Sequence, residues 1–193
     1  LDIAEHLITD SETTRQEVID FFGWSAERIT AVHLGVSPRF APRSAAQLAP
    51  TLQRFRLNFS GYSLCVSTIE PRKRIDSLLA AYARLPEKML AAYPLVLVGG
   101  KGWRSEHLHK AIDAGQNAGW LRYLGFVSED DLPALYAGAR LFVYPSSYEG
   151  FGLPVVEAMS SGIPVVSSDR SCLPEITAGA AKLVSPDDVE NLA

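Results

Sequence analysis

From residue 62 onward, short continuous apolar runs alternate with amphipathic stretches of helical period, and this alternation constrains the fold more than any other feature of the chain. Apolar runs without polar alternation belong to strands buried on both faces, and strands separated by helices join as parallel βαβ units. The strand candidates are 63–68, 95–99, 121–125, 141–145, 164–168 and 181–184. Between them, Ile75, Leu78, Leu79, Tyr82 and Leu85 form one helical face, stopped by Pro86. Leu108, Ala111, Ile112 and Gly115 form a second, and Leu132, Leu135, Tyr136 and Ala139 a third. Ser128 is the expected N-cap of the third helix, with Asp131 at the capping-box position. The class is α/β: a Rossmann-like parallel sheet with helices on both faces.

The first forty residues read differently, as a strand at 7–9, a helix capped by Ser11 and closed at Phe22-Gly23, and a second strand at 29–36. One βαβ unit cannot make a stable parallel sheet, so residues 1–43 are expected to be the end of a preceding domain. Pro38, Pro42, Pro50, Ser60 and Gly61 punctuate the next stretch, and 44–61 is read as an interdomain linker leading to the main domain at 62–193. The start lacks both an initiator Met and a secretory signal, and a helix opened by Pro186-Asp187-Asp188 stops at Ala193. Both ends are read as cuts within a longer protein.

Charge and composition exclude several classes of function. With 47% hydrophobic and 21% charged residues the chain is ordinary globular material, not a disordered or fibrous one. A net charge of −4 gives no cationic field for nucleic acid or anionic lipid, so any anionic ligand must be held by local cations. No apolar run approaches the roughly 20 residues that span a bilayer. Cys65 and Cys172 lie in unrelated segments, as free thiols that suit a reducing cytosol, and the expected location is cytoplasmic.

The chemistry concentrates in residues 145–164, Pro-Ser-Ser-Tyr-Glu-Gly-Phe-Gly-Leu-Pro-Val-Val-Glu-Ala-Met-Ser-Ser-Gly-Ile-Pro. A buried strand ends at Pro145, a Gly-containing loop follows, and a helix starts near Gly152 with Pro154 in its first turn and Gly162 as its stop. Such a helix start carries unpaired N–H donors and about half a positive charge at the sheet's carboxyl edge, a place for phosphate. Gly150, Phe151, Gly152 and Leu153 surround those amides. Glu149 and Glu157 bracket the turn, the second about 7 Å into the helix. Neither suits phosphate oxygens; both suit hydroxyls, one from a sugar and the other from a ribose, which describes a nucleotide sugar. Glu70-Pro71-Arg72-Lys73-Arg74 follows the first strand of the main domain, where Arg72 and Lys73 can neutralise a diphosphate. Gly99-Gly100-Lys101-Gly102-Trp103 lacks the spacing and the Ser/Thr of a P-loop and is read as a close-approach loop beside base or phosphates.

These residues resemble the retaining glycosyltransferases of the GT-B fold, in the large family four that uses nucleotide-sugar donors. Glu149 to Glu157 is similar to that family's E-x₇-E motif, within S-x-x-E-G-F-G-L-P-x-x-E-A-M-x-x-G-x-P-V-V. The resemblance implies that 62–193 is the C-terminal donor-binding domain and that residues 8–40 end the acceptor domain and cross over. It implies that Glu149 contacts the donor sugar, Gly150, Phe151, Gly152 and Leu153 the sugar and diphosphate, Glu157 the ribose, and Lys73 with Arg72 the diphosphate. Many members carry an Arg where Ser67 and Thr68 stand, so Arg72 is expected to take that role here, and Thr68 is counted among the donor-binding residues. Residues 123–127, with Phe126 and Val127, resemble the segment whose backbone contacts the nucleobase, and Lys101 lies in the loop beside it. Glu-Pro-Arg-Lys with Gly-Lys-Gly-Trp resembles the mannosyl and rhamnosyl transferases of bacterial surface polysaccharide, which implies GDP-mannose as donor. A glycan or lipid-linked acceptor would be bound mainly by the other domain, and the whole protein would associate at most peripherally with a membrane.

No metal is expected. His107 and His109 are two apart on a helix and cannot form an i, i+4 metal pair, and Glu129-Asp130-Asp131 is read as helix capping. Cations and the helix dipole suffice to stabilise a leaving diphosphate. His33 is read as a structural residue in a strand, and Cys172 as a buried thiol. The alternatives are a UDP-sugar transferase of the same fold and a non-catalytic nucleotide-binding module; a dinucleotide oxidoreductase lacks its G-x-G-x-x-G turn, since Ser67-Thr68-Ile69-Glu70 stands there.

Overall fold

The computed structural model describes residues 4–103 and 105–193; the first three residues of the 1–43 segment lie outside it. In chain order the elements are β1 (Leu7–Thr9), α1 (Glu12–Phe22), β2 (Ile29–Ala31), α2 (Ala45–Arg54), β3 (Ser63–Val66), α3 (Ile75–Tyr82) and α4 (Glu87–Ala92). There follow β4 (Leu95–Val98), α5 (Glu106–Asn117), β5 (Leu121–Gly125), α6 (Leu132–Gly138), β6 (Leu141–Tyr144) and α7 (Leu153–Ser160). The last are β7 (Val165–Ser168), α8 (Leu173–Thr177), β8 (Lys182–Val184) and α9 (Val189–Leu192).

The main sheet has six parallel strands in the order β5-β4-β3-β6-β7-β8. The central strands β3, β4 and β6 are largely apolar on both faces because each face carries a core. Leu64, Val96, Val98, Phe142 and Tyr144 join one core with α2, α6 and α7, while Cys65, Leu95, Leu97, Leu121 and Val143 join the other with α3 and α5. The expected strands at 63–68, 95–99 and 141–145 end earlier, at Val66, Val98 and Tyr144, because the residues beyond them turn out of the ladder into loops. Going along the sequence, the chain runs outward from β3 to β5 and returns to β6 beside β3. This reversal splits the loops after β3 and β6 to opposite sides and opens a crevice at their carboxyl ends, where open α/β sheets bind ligands.

The stretch 44–61 is not a structureless linker. Ser44 and Gln47 form a reciprocal capping box at the start of α2, and Leu48 and Leu52, one turn apart, are buried in the core against α6. Pro50 lies on the exposed side of the same helix, and the proline-rich surroundings conceal the apolar i, i+4 pair in the sequence. Gly138 permits this contact, since a Cβ there would lie 2.9 Å from the Tyr62 hydroxyl and 3.0 Å from Leu52 Cδ2.

At the N-terminus β1 and β2 make a two-stranded parallel sheet, with α1 capped by Ser11 and closed at Gly23 in the left-handed region. β2 stops at Ala31, short of the expected 36, because β1 offers no partner beyond the Val32 N–H to Thr9 carbonyl bond. His33 therefore lies outside the strand, exposed, with Nε2 2.6 Å from Glu175 Oε1. α6 begins at Leu132, later than expected; Ser128 caps only the preceding turn, and Asp131 pairs with Arg54 instead of closing a capping box. Glu129 and Asp130 face Arg39 at 3.6 and 3.5 Å. No helix among the described residues is long and apolar enough to cross a membrane.

Candidate active site

Two loops meet at the crevice, and the backbone holds them in register. After β3 the chain forms a 3₁₀ turn at Pro71–Lys73, closed by Arg74 in the left-handed region. The Arg72 carbonyl accepts from the Ser147 N–H at 2.8 Å, the Ser147 hydroxyl at 2.9 Å and the Ser146 hydroxyl at 3.2 Å, all from the loop after β6. A second clamp grips the far side of that loop. The Glu149 carbonyl accepts from the Ser171 hydroxyl at 2.6 Å and the Cys172 thiol at 3.2 Å, and the Phe151 carbonyl accepts from the same thiol at 3.1 Å. Burial pushes the Cys172 thiol up to about 12, so it is a hydrogen-bond donor and not a thiolate.

These clamps aim Lys73 and Glu149 at each other. Lys73 Nζ donates to Glu149 Oε1 at 2.5 Å and to the Tyr144 hydroxyl at 2.8 Å, and the Tyr144 hydroxyl reaches the same Oε1 at 2.9 Å. Arg72 Nη1 donates to Glu149 Oε2 at 3.0 Å while Nε pairs with Glu70 at 2.7 Å. Burial alone raises the Glu149 carboxyl, but the hydrogen bond and charge of Lys73, with the Ser146 and Tyr144 hydroxyls, hold it below its ordinary value. Arg72 and Lys73, expected to neutralise a diphosphate, are matched in charge by Glu70 and Glu149. Each still has donors in reserve: Lys73 uses two N–H groups on these partners, and Arg72 Nη2 takes part in none of these contacts.

Beside this network the turn 150–152 delivers the start of α7. Gly152 sits at φ 98° and a Cβ there would strike Leu173 Cδ2 at 2.7 Å, so this turn demands glycine on both counts. Pro154 has no N–H and the Val155 N–H donates to the Gly152 carbonyl at 2.9 Å, so the start of α7 offers the crevice the Leu153 N–H and the positive end of the helix dipole. On the opposite wall Gly99 lets the loop after β4 pass against β3; a Cβ there would fall 1.9 Å from the Ser67 carbonyl oxygen.

A cleft of about 550 Å³ gathers most of the expected residues: Thr68, Lys73, Phe126, Val127, Glu149 and 150–153 all line it. Phe126 is 84% exposed, a flat aromatic face at the rim. Arg72 touches the cleft through Glu149 without lining it. Glu157 lies in an adjoining groove with Gly35, Ser37 and Arg39, which shares Leu132 and Leu153 with the cleft. Its carboxyl is raised by burial, partly offset by the nearby Tyr136 hydroxyl. Lys101 does not line the cleft; it is exposed and its backbone bridges Ile69. The sequence reading missed Tyr144, Asp10, Ser11 and Ser171. Tyr144 is hidden in the sequence as one more apolar strand residue, and Asp10 and Ser11 belong to a different sheet.

The N-terminal unit also grips this region. The Ser11 hydroxyl donates to the Gly150 carbonyl at 2.7 Å, and Glu175 accepts from the Glu12 and Thr13 N–H groups at 2.8 and 3.0 Å, at the N-terminus of α1. Burial raises the Glu175 carboxyl, but these amides and His33 hold it below its ordinary value.

The chain is similar to known glycosyltransferases along its whole length. It is 46% identical over 193 residues to the O-antigen chain mannosyltransferase B of Escherichia coli, covering 100% of this chain and 51% of that one. It is 32% identical over 195 residues to the serotype-specific mannosyltransferase WbdA of Escherichia coli, covering 98% and 24%. The chain thus spans about half or less of the length of these relatives. In fold it matches HepE of Anabaena, solved in complex with UDP and glucose, with a TM-score of 0.84 over 98% of this chain and 51% of that one at 23% identity. The family model described as glycosyl transferases group 1 matches residues 54–193, which takes in β3 to α9 and every residue of the Lys73–Tyr144–Glu149 network, and the chain belongs to that family.

Proposed function

We propose that the protein is a hexosyltransferase that moves mannose from GDP-mannose to a glycan or lipid-linked acceptor with retention of configuration, and that this chain carries the donor site. The observation that carries the reading is the cleft at the β3/β6 reversal. There a buried ammonium, a phenol and a carboxylate stand beside a glycine-turned helix start. The names of the two Escherichia coli relatives support mannose as the hexose.

In this reading the diphosphate lies at the start of α7, and the spare N–H groups of Lys73 and Arg72 take up its charge. As the bond to the hexose breaks, negative charge grows on the departing phosphate, and prepositioned donors stabilise it most where water is excluded. Glu149 holds Lys73 and Arg72 in place and offers its remaining acceptor capacity to the sugar. Phe126 and Val127 border the base, and Glu157, in the groove next door, takes the ribose. With these charges the leaving group needs no divalent cation. Residues 1–43 are the end of the acceptor-side domain and the interdomain crossing, acceptor binding falls mainly to that domain, and the protein works in the cytoplasm.

The test is titration of the full-length protein with GDP, UDP, ADP and GDP-mannose, with and without magnesium, followed by a transfer assay with radiolabelled GDP-mannose. Tighter binding of GDP than UDP, unaffected by chelator, is the expected result. Preference for UDP replaces the donor with a UDP-sugar. Binding without transfer to any glycan or lipid acceptor favours a non-catalytic nucleotide module.

A further inference from the structure

We propose that Asp10 is a specificity residue of the cleft, accepting hydrogen bonds from hydroxyls of the donor hexose; this rests on the reading of the cleft as a nucleotide-sugar site. Asp10 is the first residue past the carboxyl end of β1, and it lines the cleft together with Lys73, Glu149 and Gly150. The small parallel sheet therefore presents its carboxyl edge to the same space as the large one.

Its backbone position is secured on the side that matters. The Thr9 hydroxyl donates to the Ser11 carbonyl at 3.0 Å, and the fully buried Ser11 hydroxyl donates to the Gly150 carbonyl at 2.7 Å. The Asp10 carboxylate is thereby brought over the turn at 150. A Cβ on residue 150 would stand 3.2 Å from Asp10 Oδ2 and 3.6 Å from Oδ1, so the bare glycine keeps open the space directly beneath the carboxylate.

Among the described residues Asp10 makes no hydrogen bond or ion pair through its side chain. Glu149 presents the opposite case, with Lys73 and Tyr144 on one oxygen and Arg72 on the other. A carboxylate has about four lone-pair sites, so Glu149 has little left to offer while Asp10 has all of its acceptor capacity. An unpaired carboxylate repels phosphate, and its natural partners in a cleft are neutral donors, which on a nucleotide sugar means the hexose hydroxyls. The diphosphate then belongs toward Lys73 and the start of α7, and the hexose between Glu149 and Asp10.

The experiment compares Asp10→Asn and Asp10→Ala with wild type in the full-length protein, measuring GDP and GDP-mannose affinities by calorimetry and kcat and KM for transfer. The expected result is unchanged GDP affinity, which also reports an intact fold, with GDP-mannose affinity reduced about tenfold and transfer reduced at least as much. A GDP-mannose analogue lacking the contacted hydroxyl loses affinity for wild type and none for Asp10→Ala. Wild-type preference for GDP-mannose that survives in both variants overturns the role of Asp10 and leaves the donor reading standing. Failure of the wild type to bind any nucleotide or nucleotide sugar overturns both.

Discussion

The Lys73 ammonium donates to the Tyr144 hydroxyl at 2.8 Å and lies 5.2 Å from the centre of that ring, so the hydroxyl end of one strand residue fixes the cation. Tyr144 is itself fixed by stacking on Phe142, with ring centroids 5.9 Å apart, inside the core. The position of the charge at the cleft is therefore set by the sheet rather than by a flexible loop.

Replacing Tyr144 with Phe keeps the ring and removes only the hydroxyl. Hydrogen bonds to charged groups contribute about 1.5–3 kcal/mol, and the remaining Lys73–Glu149 contact recovers part of that, so a stability loss of about 1–2 kcal/mol is expected. The pH dependence carries the sharper signature. The Glu149 carboxyl lies below its ordinary value in the folded chain, so its contribution is complete above the unfolded-state value of 4.5 and is lost as pH falls through the lowered value. In Tyr144→Phe the Glu149 carboxyl moves back up, so that contribution is smaller and its loss, which starts from the same unfolded-state value, is complete at a higher pH. Urea unfolding of both proteins at closely spaced pH between about 3 and 7 checks this; superimposable acid limbs would count against it.

The Lys73–Glu149 pair separates stability from function. Both side chains are 10% exposed, so Glu149→Ala strands a buried ammonium and is expected to cost about 3 kcal/mol or more. The double variant Lys73→Met with Glu149→Leu replaces the pair with apolar groups and is expected to regain most of that stability while binding no nucleotide diphosphate. Thermal unfolding and calorimetric titration of the three proteins test this directly. A double variant no more stable than Glu149→Ala would show that the pair is not the main source of the loss.

Most of the framework was legible because buried parallel strands write themselves as continuous apolar runs: β5 occupies the expected residues, and Ser11 and Gly23 bound α1 as their chemistry requires. The loop-and-helix at 145–160 was legible for a similar reason, since Gly152 and Pro154 have few structural uses outside such a turn. What escaped depends on tertiary partners. α2 owes its existence to a surface on α6 some eighty residues later, and α8 holds only five residues, too few to show a helical period. The pairing of Arg72 and Lys73 with acidic groups was hidden because Glu149 lies far along the chain, and only the adjacency of β3 and β6 brings it within reach. Asp10 was invisible as a cleft residue for the same reason.

Gly99→Ala tests how tightly the two walls of the crevice pack. Gly99 has φ 140°, a conformation that an L side chain adopts only with strain of about 1–3 kcal/mol. The added methyl would also meet the Ser67 carbonyl oxygen at 1.9 Å, which forces the β3 and β4 ends apart and moves the loop that begins at Ser67. The expected outcome is a fall in stability of about 3 kcal/mol together with weaker nucleotide binding. Gly100, where a Cβ meets nothing within 4 Å, serves as the control, and Gly100→Ala should leave stability nearly unchanged. Equal effects at both positions, measured by denaturant unfolding, would contradict the close approach at Gly99.

Leu48→Ala distinguishes a packed helix from a connecting segment. In a linker the side chain would face solvent and its truncation would change stability by less than about 0.5 kcal/mol. Leu48 is 0% exposed, in the core that also holds Leu52, Tyr62, Leu135 and Tyr136, and truncation there leaves a cavity that well-packed neighbours fill only partly. The expected cost is about 2–4 kcal/mol. Ala46, on the exposed side of α2, provides the comparison: Ala46→Gly should cost only about 1 kcal/mol through helix propensity. Because α2 packs on α6, and α6 on α7, the Leu48 cavity opens under the helix whose start faces the cleft. Leu48→Ala is therefore expected to weaken nucleotide binding slightly as well, and amide exchange should show its largest loss of protection in α2 and α6 rather than in β4 and β5. Exchange that quickens equally throughout the sheet would indicate that α2 unfolds only with the whole domain.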